Sequence, residues 1–381
     1  MSGNPADADR SARGVADVPD PPTATYWIYV LAESADRMHR IRFGPEGAAV
    51  EKTTPIGYIP VTMEGPHGVQ ISKDGRYLYM TTGHGNPDGK FWKYETGADT
   101  VVAGPIDLGF FPATVDVTPD GLYGLVGNFN LHGPMVPSTV SVVYLPTFQE
   151  VEQTETCTMP HGSRVSADGR NHYSVCMMDD QLVELSLLDF GVSRRFSLTQ
   201  GAEGPIERGG AGGGHEGHGG HEPAAGDHAV MQPTCTPTWA TPTHSGDRIF
   251  VACNATDEIL EIDRAEWRLL RRFSTGRGPY NLEVTADDRI LIATLKQGNG
   301  VEFIDLDSGR RLASSESSST LSHGVVTSPD GRYGFVSVEG VRSEPGKVDI
   351  YDLLSLERVA EVEVGQQAAG IAFWKMEPPA S

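Results

Sequence analysis

Apolar and polar residues alternate along this chain in short runs. The runs come in pairs, joined by a turn of the type Ser/Thr/Pro-Asp-Gly. The pair reads PHGVQISKDGRYLYMTTG from Pro66, FPATVDVTPDGLYGLVGN from Phe111, MPHGSRVSADGRNHYSVC from Met159 and LSHGVVTSPDGRYGFVSV from Leu321. Period-two alternation on both sides of an Asp-Gly step predicts a β-hairpin. Its return at a near-fixed spacing predicts an array whose units bury their faces against one another.

The turns mark the spacing. They fall at Asp74-Gly75, Asp120-Gly121, Asp168-Gly169, Ser245-Gly246, Asp287-Asp288 and Asp330-Gly331, at intervals of 46, 48, 77, 42 and 43 residues. The long interval contains a Gly- and His-rich stretch over 201–231, and removing it restores the period. Each hairpin is followed by a third alternating run, such as KFWKYET from Lys90 or KVDIYDL from Lys347, and then by a fourth. Four strands in ~45 residues is one propeller blade. Six blades are complete. Tyr26–Glu33, the run from Met38 and the run from Ala49 supply three strands without a first, and AAGIAFW from Ala368 supplies the missing one. The expected fold is therefore all-β: a seven-bladed propeller of four-stranded antiparallel blades over 25–375. The N-terminal strands close the ring on the C-terminal strand and leave no open sheet edge. An arm (1–24) and a tail (376–381) flank it.

No Trp-Asp dipeptide occurs. The D-G-R-Y hairpins and the following KVDIYDL-type strand resemble YVTN-type propeller repeats from Tyr26 to Trp374. The superfamily implied by that resemblance includes lactonase-like propellers, haem d1 propellers and the propeller half of nitrous oxide reductase, so the fold alone licenses no activity. Nitrous oxide reductase looks like a precedent for channel histidines holding copper. This chain has neither a cupredoxin segment nor a C-x-x-x-C cluster, so that activity does not carry over.

Blade geometry collects the soft ligands at one mouth of the central channel. His67, His161 and His323 each stand seven residues before the turn, at the start of an innermost strand. Ala113, Tyr280 and about Thr238 match them in other blades. Cys176 stands seven residues after a turn Gly and is expected opposite His161, with Met177 and Met178 next to it. His84 and His132 fall in the loops between second and third strands. Cys157 and Cys235 lie in connections leading into blades three and four. His215, His218, His221 and His228 fall among the glycines of the insertion and read by composition as a weak metal-capturing flap. Thiolate, thioether and imidazole together favour copper, with zinc the alternative. The expected ligand set is His67, His161, His323, Cys176, Met177, His132 and His84.

Composition trims the options. A net charge of -21 argues against nucleic acid. No apolar run approaches the ~18 residues of a membrane span. Four cysteines are too few for a disulfide scaffold. The polar first two dozen residues lack the parts of a secretory signal. That places the protein in the cytoplasm, or in the periplasm or outside the cell if a signal has been removed. No G-x-S-x-G elbow and no phosphate-binding glycine motif occurs. The expected function is a metalloprotein in redox chemistry or metal handling. A small molecule or metal ion in the channel is the expected partner, with a protein partner on the top face. Two alternatives stand beside it. One is a non-catalytic interaction scaffold. The other is a lactonase-like hydrolase using rim carboxylates such as Glu64, Asp179 and Glu339.

Overall fold

The structure, a computed structural model, describes residues 21–59, 61–84, 89–207 and 233–379. The insertion histidines 215, 218, 221 and 228 lie outside the described residues. Seven antiparallel sheets form the ring; six have four strands, and blade three carries a fifth, Gly204–Ile206. Blade one runs Pro66–Ile71, Tyr77–Thr82, Lys90–Glu95 and Thr100–Asp107 from axis to rim. Blade seven takes its innermost strand, Ala368–Glu377, from the C-terminus and pairs it with Thr25–Ala32. That pairing closes the ring as expected.

The hairpin turns show why the repeat is written as it is. Gly75 takes a φ of 69°, a conformation cheap only for glycine. Ser72 donates its hydroxyl to Asp74 at 2.6 Å, and the same carboxylate accepts the Arg76 N–H at 3.1 Å. The other Asp-Gly turns repeat these bonds with Thr118, Ser166 and Ser328.

The core is divided among the blade interfaces. Among the described residues one apolar cluster lies between each adjacent pair of blades, and an eighth gathers Phe111, Phe129 and Met159 at the channel mouth. Leu125, Val140 and Val142 of blade two, for example, meet Val183 and Leu185 of blade three. Each sheet is therefore apolar on both faces near the axis, while the outermost strands alternate buried and exposed positions. Among the described residues the sole helical element is the 3-10 turn Glu33–Ala35, and no helix is long and apolar enough to cross a membrane.

Two disulfides correct the reading of the cysteines. Cys157 bonds Cys176, tying the last strand of blade two to the second strand of blade three. Cys235 bonds Cys253 and ties the connection after the insertion into blade four. The bridges close segments of 19 and 18 residues. Breaking either by a Cys→Ser pair should cost about 3 kcal/mol. Denaturant unfolding with and without reductant checks this, and an unchanged midpoint would contradict it.

Candidate functional site

The second residue of each innermost strand points to the axis. In blade order these are His67, Ala113, His161, Thr238, Tyr280, His323 and Ala369. Four large rings and three small side chains thus share one narrow circle, which is how a tapering channel is filled. The His67 ring centroid lies 5.4 Å from that of His323 and 6.3 Å from that of His161. Tyr280 sits 4.7 Å from His323 and 5.6 Å from His161. All four residues are under a tenth exposed.

A β-bulge creates this arrangement. In blade three, Pro160 pairs with Cys176, and regular pairing resumes only at Ser163 with Ser174. His161 and Gly162 fall in the bulge, which turns the imidazole toward the axis. The expectation that His161 faces Cys176 is therefore wrong. Cys176 is fully buried among apolar residues between blades two and three and spent in its disulfide, so it offers no thiolate. The same irregularity follows the first residue of the innermost strands of blades one, five and six.

The glycine after each channel histidine has its own reason. A Cβ on Gly162 would stand 2.4 Å from the Thr238 carbonyl oxygen, and one on Gly68 2.8 Å from that of Ala113. Only glycine lets the next blade come this close. That same carbonyl accepts the histidine: His67 Nδ1 donates to Ala113 O at 2.8 Å, and His161 Nδ1 donates to Thr238 O at 2.7 Å. The Pro-His-Gly step is thus a blade-to-blade latch. His323 faces the Ala369 backbone in the corresponding place, but among the described residues its Nδ1 makes no hydrogen bond as short as those of His67 and His161.

With Nδ1–H committed, Nε2 of His67 and His161 carries the lone pair. Nε2 of His161 accepts the Tyr280 hydroxyl at 3.2 Å. Burial keeps the rings neutral. It lowers His161 to about 4. It takes His67 and His323 well below the ordinary imidazole value, helped by neighbouring His161 and Lys296.

A second circle lies above, from the first residue after each blade's second strand. It holds Phe129, Met177, Asn254, Lys296, Glu339 and Glu33, with Gly83 and then His84 in blade one. Glu33 is buried; its carboxylate lies 3.4 Å from His67 Nε2, accepts Gln367 Nε2 at 2.7 Å and pairs closely with His84. Burial raises the Glu33 carboxyl, and the bond to Glu33 raises His84. Lys296 pairs with Glu339 at 2.7 Å, and Glu339 stands 3.7 Å from His323 Nε2. Lys296 also lies 4.3 Å from the Tyr280 ring centroid. Burial alone would weaken its ammonium, but Tyr280 and Glu339 raise it above the ordinary value.

The structure therefore gathers His67, His161 and His323 and adds His84 at the same mouth. His132 is exposed and stacks on His84 at 5.8 Å. Met177 packs, half-buried, with Phe111, Phe129 and Met159. Of the expected carboxylates only Glu339 touches the cluster. Asp179 accepts the Thr158 N–H at 2.7 Å, and Glu64 folds under Gly57. Glu33, Lys296 and Tyr280 complete the site. Among the described residues no three or more His, Cys, Asp or Glu side chains stand close enough together, as placed, to hold a metal ion.

No family model matches the chain, and no curated protein does. Among solved structures the chain is similar to hydrazine synthase of Kuenenia stuttgartiensis, at 18% identity and a TM-score of 0.59. That match covers 83% of this chain and 93% of the other. The likeness shows a shared propeller fold. With 1602 solved chains matching, the fold assigns no activity.

Proposed function

We propose that the protein is a metal-binding propeller of YVTN-type repeats, acting in redox chemistry or metal handling. His67, His161 and His323 are the ligands, copper is the preferred ion and zinc the rival. The observation that carries this reading is the state of the imidazoles. They come from three separate blades, are buried and neutral, and keep Nε2 toward one axis while Nδ1 of two of them is held by a backbone carbonyl. A ring nitrogen fixed by a second hydrogen bond is the usual condition of a metal-ligating histidine. Binding requires the rings to draw together, with His161 giving up its bond from Tyr280. Bound metal would supply a Lewis acid or a redox centre. The two disulfides support an oxidising compartment, such as the periplasm or the cell exterior.

Untagged protein lacking residues 208–232 is loaded with copper or zinc, desalted and analysed by plasma mass spectrometry. One ion per chain should remain in this variant and be lost in His161→Ala. Loaded protein that retains no ion contradicts the proposal.

A hydrolase of lactone type is the second reading, favoured by the buried Glu33 carboxyl against His84 and His67. That group could act as a general base without a metal. It requires lactone hydrolysis that survives chelation and is lost in Glu33→Gln.

A further inference from the structure

Below the histidine circle the channel holds a cavity of about 40 Å3. That is room for about three waters. His67 and His323 form part of its roof. Its walls include Gly68, Gly324 and Gly370. At these glycines the close-packed backbones of neighbouring blades form the wall directly.

The floor is polar. Arg164 lies with its guanidinium 4.7 Å from the centroid of the Trp239 ring. One of its amino groups donates to the Ser163 carbonyl at 3.0 Å. Its nearest carboxylate, Glu283, is 3.9 Å away, beyond hydrogen-bond reach. Burial raises the Glu283 carboxyl and so weakens it as a counter-charge. Asp116 is already occupied by Gln70 and the Val165 N–H, each at 2.7 Å.

Two further polar groups line the same cavity with bonds unmade. Trp239 is 6% exposed and Asn281 4% exposed. Trp239 Nε1 and Asn281 Oδ1 are buried and, among the described residues, have no hydrogen-bond partner. An orphaned buried donor costs roughly 1–3 kcal/mol, so such groups normally have a partner. The carboxamide can present either end by a simple flip. Beneath Arg164 a wider vestibule of about 200 Å3 opens, with Lys73 and His244 on its wall, so the floor has an entrance from the bottom face.

We propose that this cavity is a binding site for a small planar oxyanion of three or four heavy atoms, such as formate, nitrite or bicarbonate, held by Arg164, Trp239 Nε1 and Asn281. A charged fork, an indole N–H and an amide match the in-plane oxygens of such an ion. A cavity of this size favours a short acid over a longer one. The site stands on residues outside the histidine ligands, so it holds whether or not a metal binds above. With a metal present, the anion would lie under the roof formed by His67 and His323.

The test is isothermal titration of untagged, metal-free protein with formate, nitrite and bicarbonate in chloride-free buffer, followed in parallel by tryptophan fluorescence. At least one anion should bind saturably at one per chain. Arg164→Gln should weaken it at least about tenfold, the loss expected for one charge-assisted bond. Trp239→Phe should remove the fluorescence change and weaken binding. Asn281→Asp, which sets a carboxylate in the cavity, should abolish it even if Arg164→Gln fails to fold. Because the titration uses metal-free protein, its outcome does not depend on the metal site. Saturation by none of the three anions, or equal binding in wild type and folded variants, overturns the assignment.

Discussion

Gly370→Ala should destabilise the protein by more than about 3 kcal/mol, a loss reserved for severe overpacking in a core. A Cβ at this position would stand 2.0 Å from the His67 carbonyl oxygen. The obstacle is backbone, so no side chain can turn aside to relieve it. Gly370 lies on the innermost strand of blade seven, the strand that closes the ring against blade one. The substitution therefore forces apart the two blades whose contact completes the disk, and it moves His67 with them. Gly331→Ala makes a useful comparison. Its added Cβ meets nothing, so its cost comes only from a φ of 67° in a surface turn, about 1 kcal/mol. Denaturant unfolding of both variants checks the order. Equal losses would contradict the close approach of blades seven and one.

Acid should unfold the protein near about pH 5, because buried neutral histidines must charge. Burial lowers His39 and His161 to about 4 and His172 to about 3, and it takes His67 and His323 well below the ordinary value. The sign follows from the unfolded chain, where imidazoles bind protons below about pH 6.5. Their contribution is fully present above that pH and is lost as the pH falls toward the folded values. One pH unit costs about 1.4 kcal/mol per histidine. His161 alone thus accounts for about 3 kcal/mol between its unfolded and folded pKa. His39, His161 and His172 together lose about 6 kcal/mol by pH 5, within the 5–15 kcal/mol that holds a typical domain, and His67 and His323 add to the loss in the same direction. His84 works in the opposite direction, since its bond to Glu33 raises it and stabilises the acid form. His172 offers a clean control: among the described residues neither ring nitrogen has a hydrogen-bond partner. His172→Phe should therefore flatten the acid limb by about one proton without lowering stability at pH 7. A melting temperature unchanged from pH 7 to 4.5 would contradict this account.

The wheel was legible in the residues because its ruler is chemical. Asp74-Gly75 and its counterparts mark hairpins that only small left-handed turns can make, and counting from them finds six of the seven channel positions. The same ruler explains what stayed hidden. Counting assumes regular pairing, while the bulge at His161-Gly162 shifts Pro160 opposite Cys176 and sends the histidine elsewhere. The Cys157–Cys176 bridge joins two blades, and a repeat pattern read within one blade does not show which connection a strand end will meet. Glu33 belongs to the blade split between the two ends of the chain, whose first hairpin has no Asp-Gly turn to count from. Lys296 stands one residue past the end of its strand, Leu295, where a reading that stops at the strand misses it. Periodicity also does not reveal that the glycine after each histidine is there to admit a carbonyl. That requires the neighbouring blade.

X-ray absorption at the metal edge of the copper-loaded protein lacking residues 208–232 tests the central claim most directly. Three imidazole nitrogens at ~2.0 Å, with the multiple scattering of histidine rings and no sulfur shell, are the predicted first coordination sphere. A sulfur shell at ~2.3 Å, or a spectrum unchanged in His67→Ala and His323→Ala, would contradict a site built by the histidines of blades one, three and six.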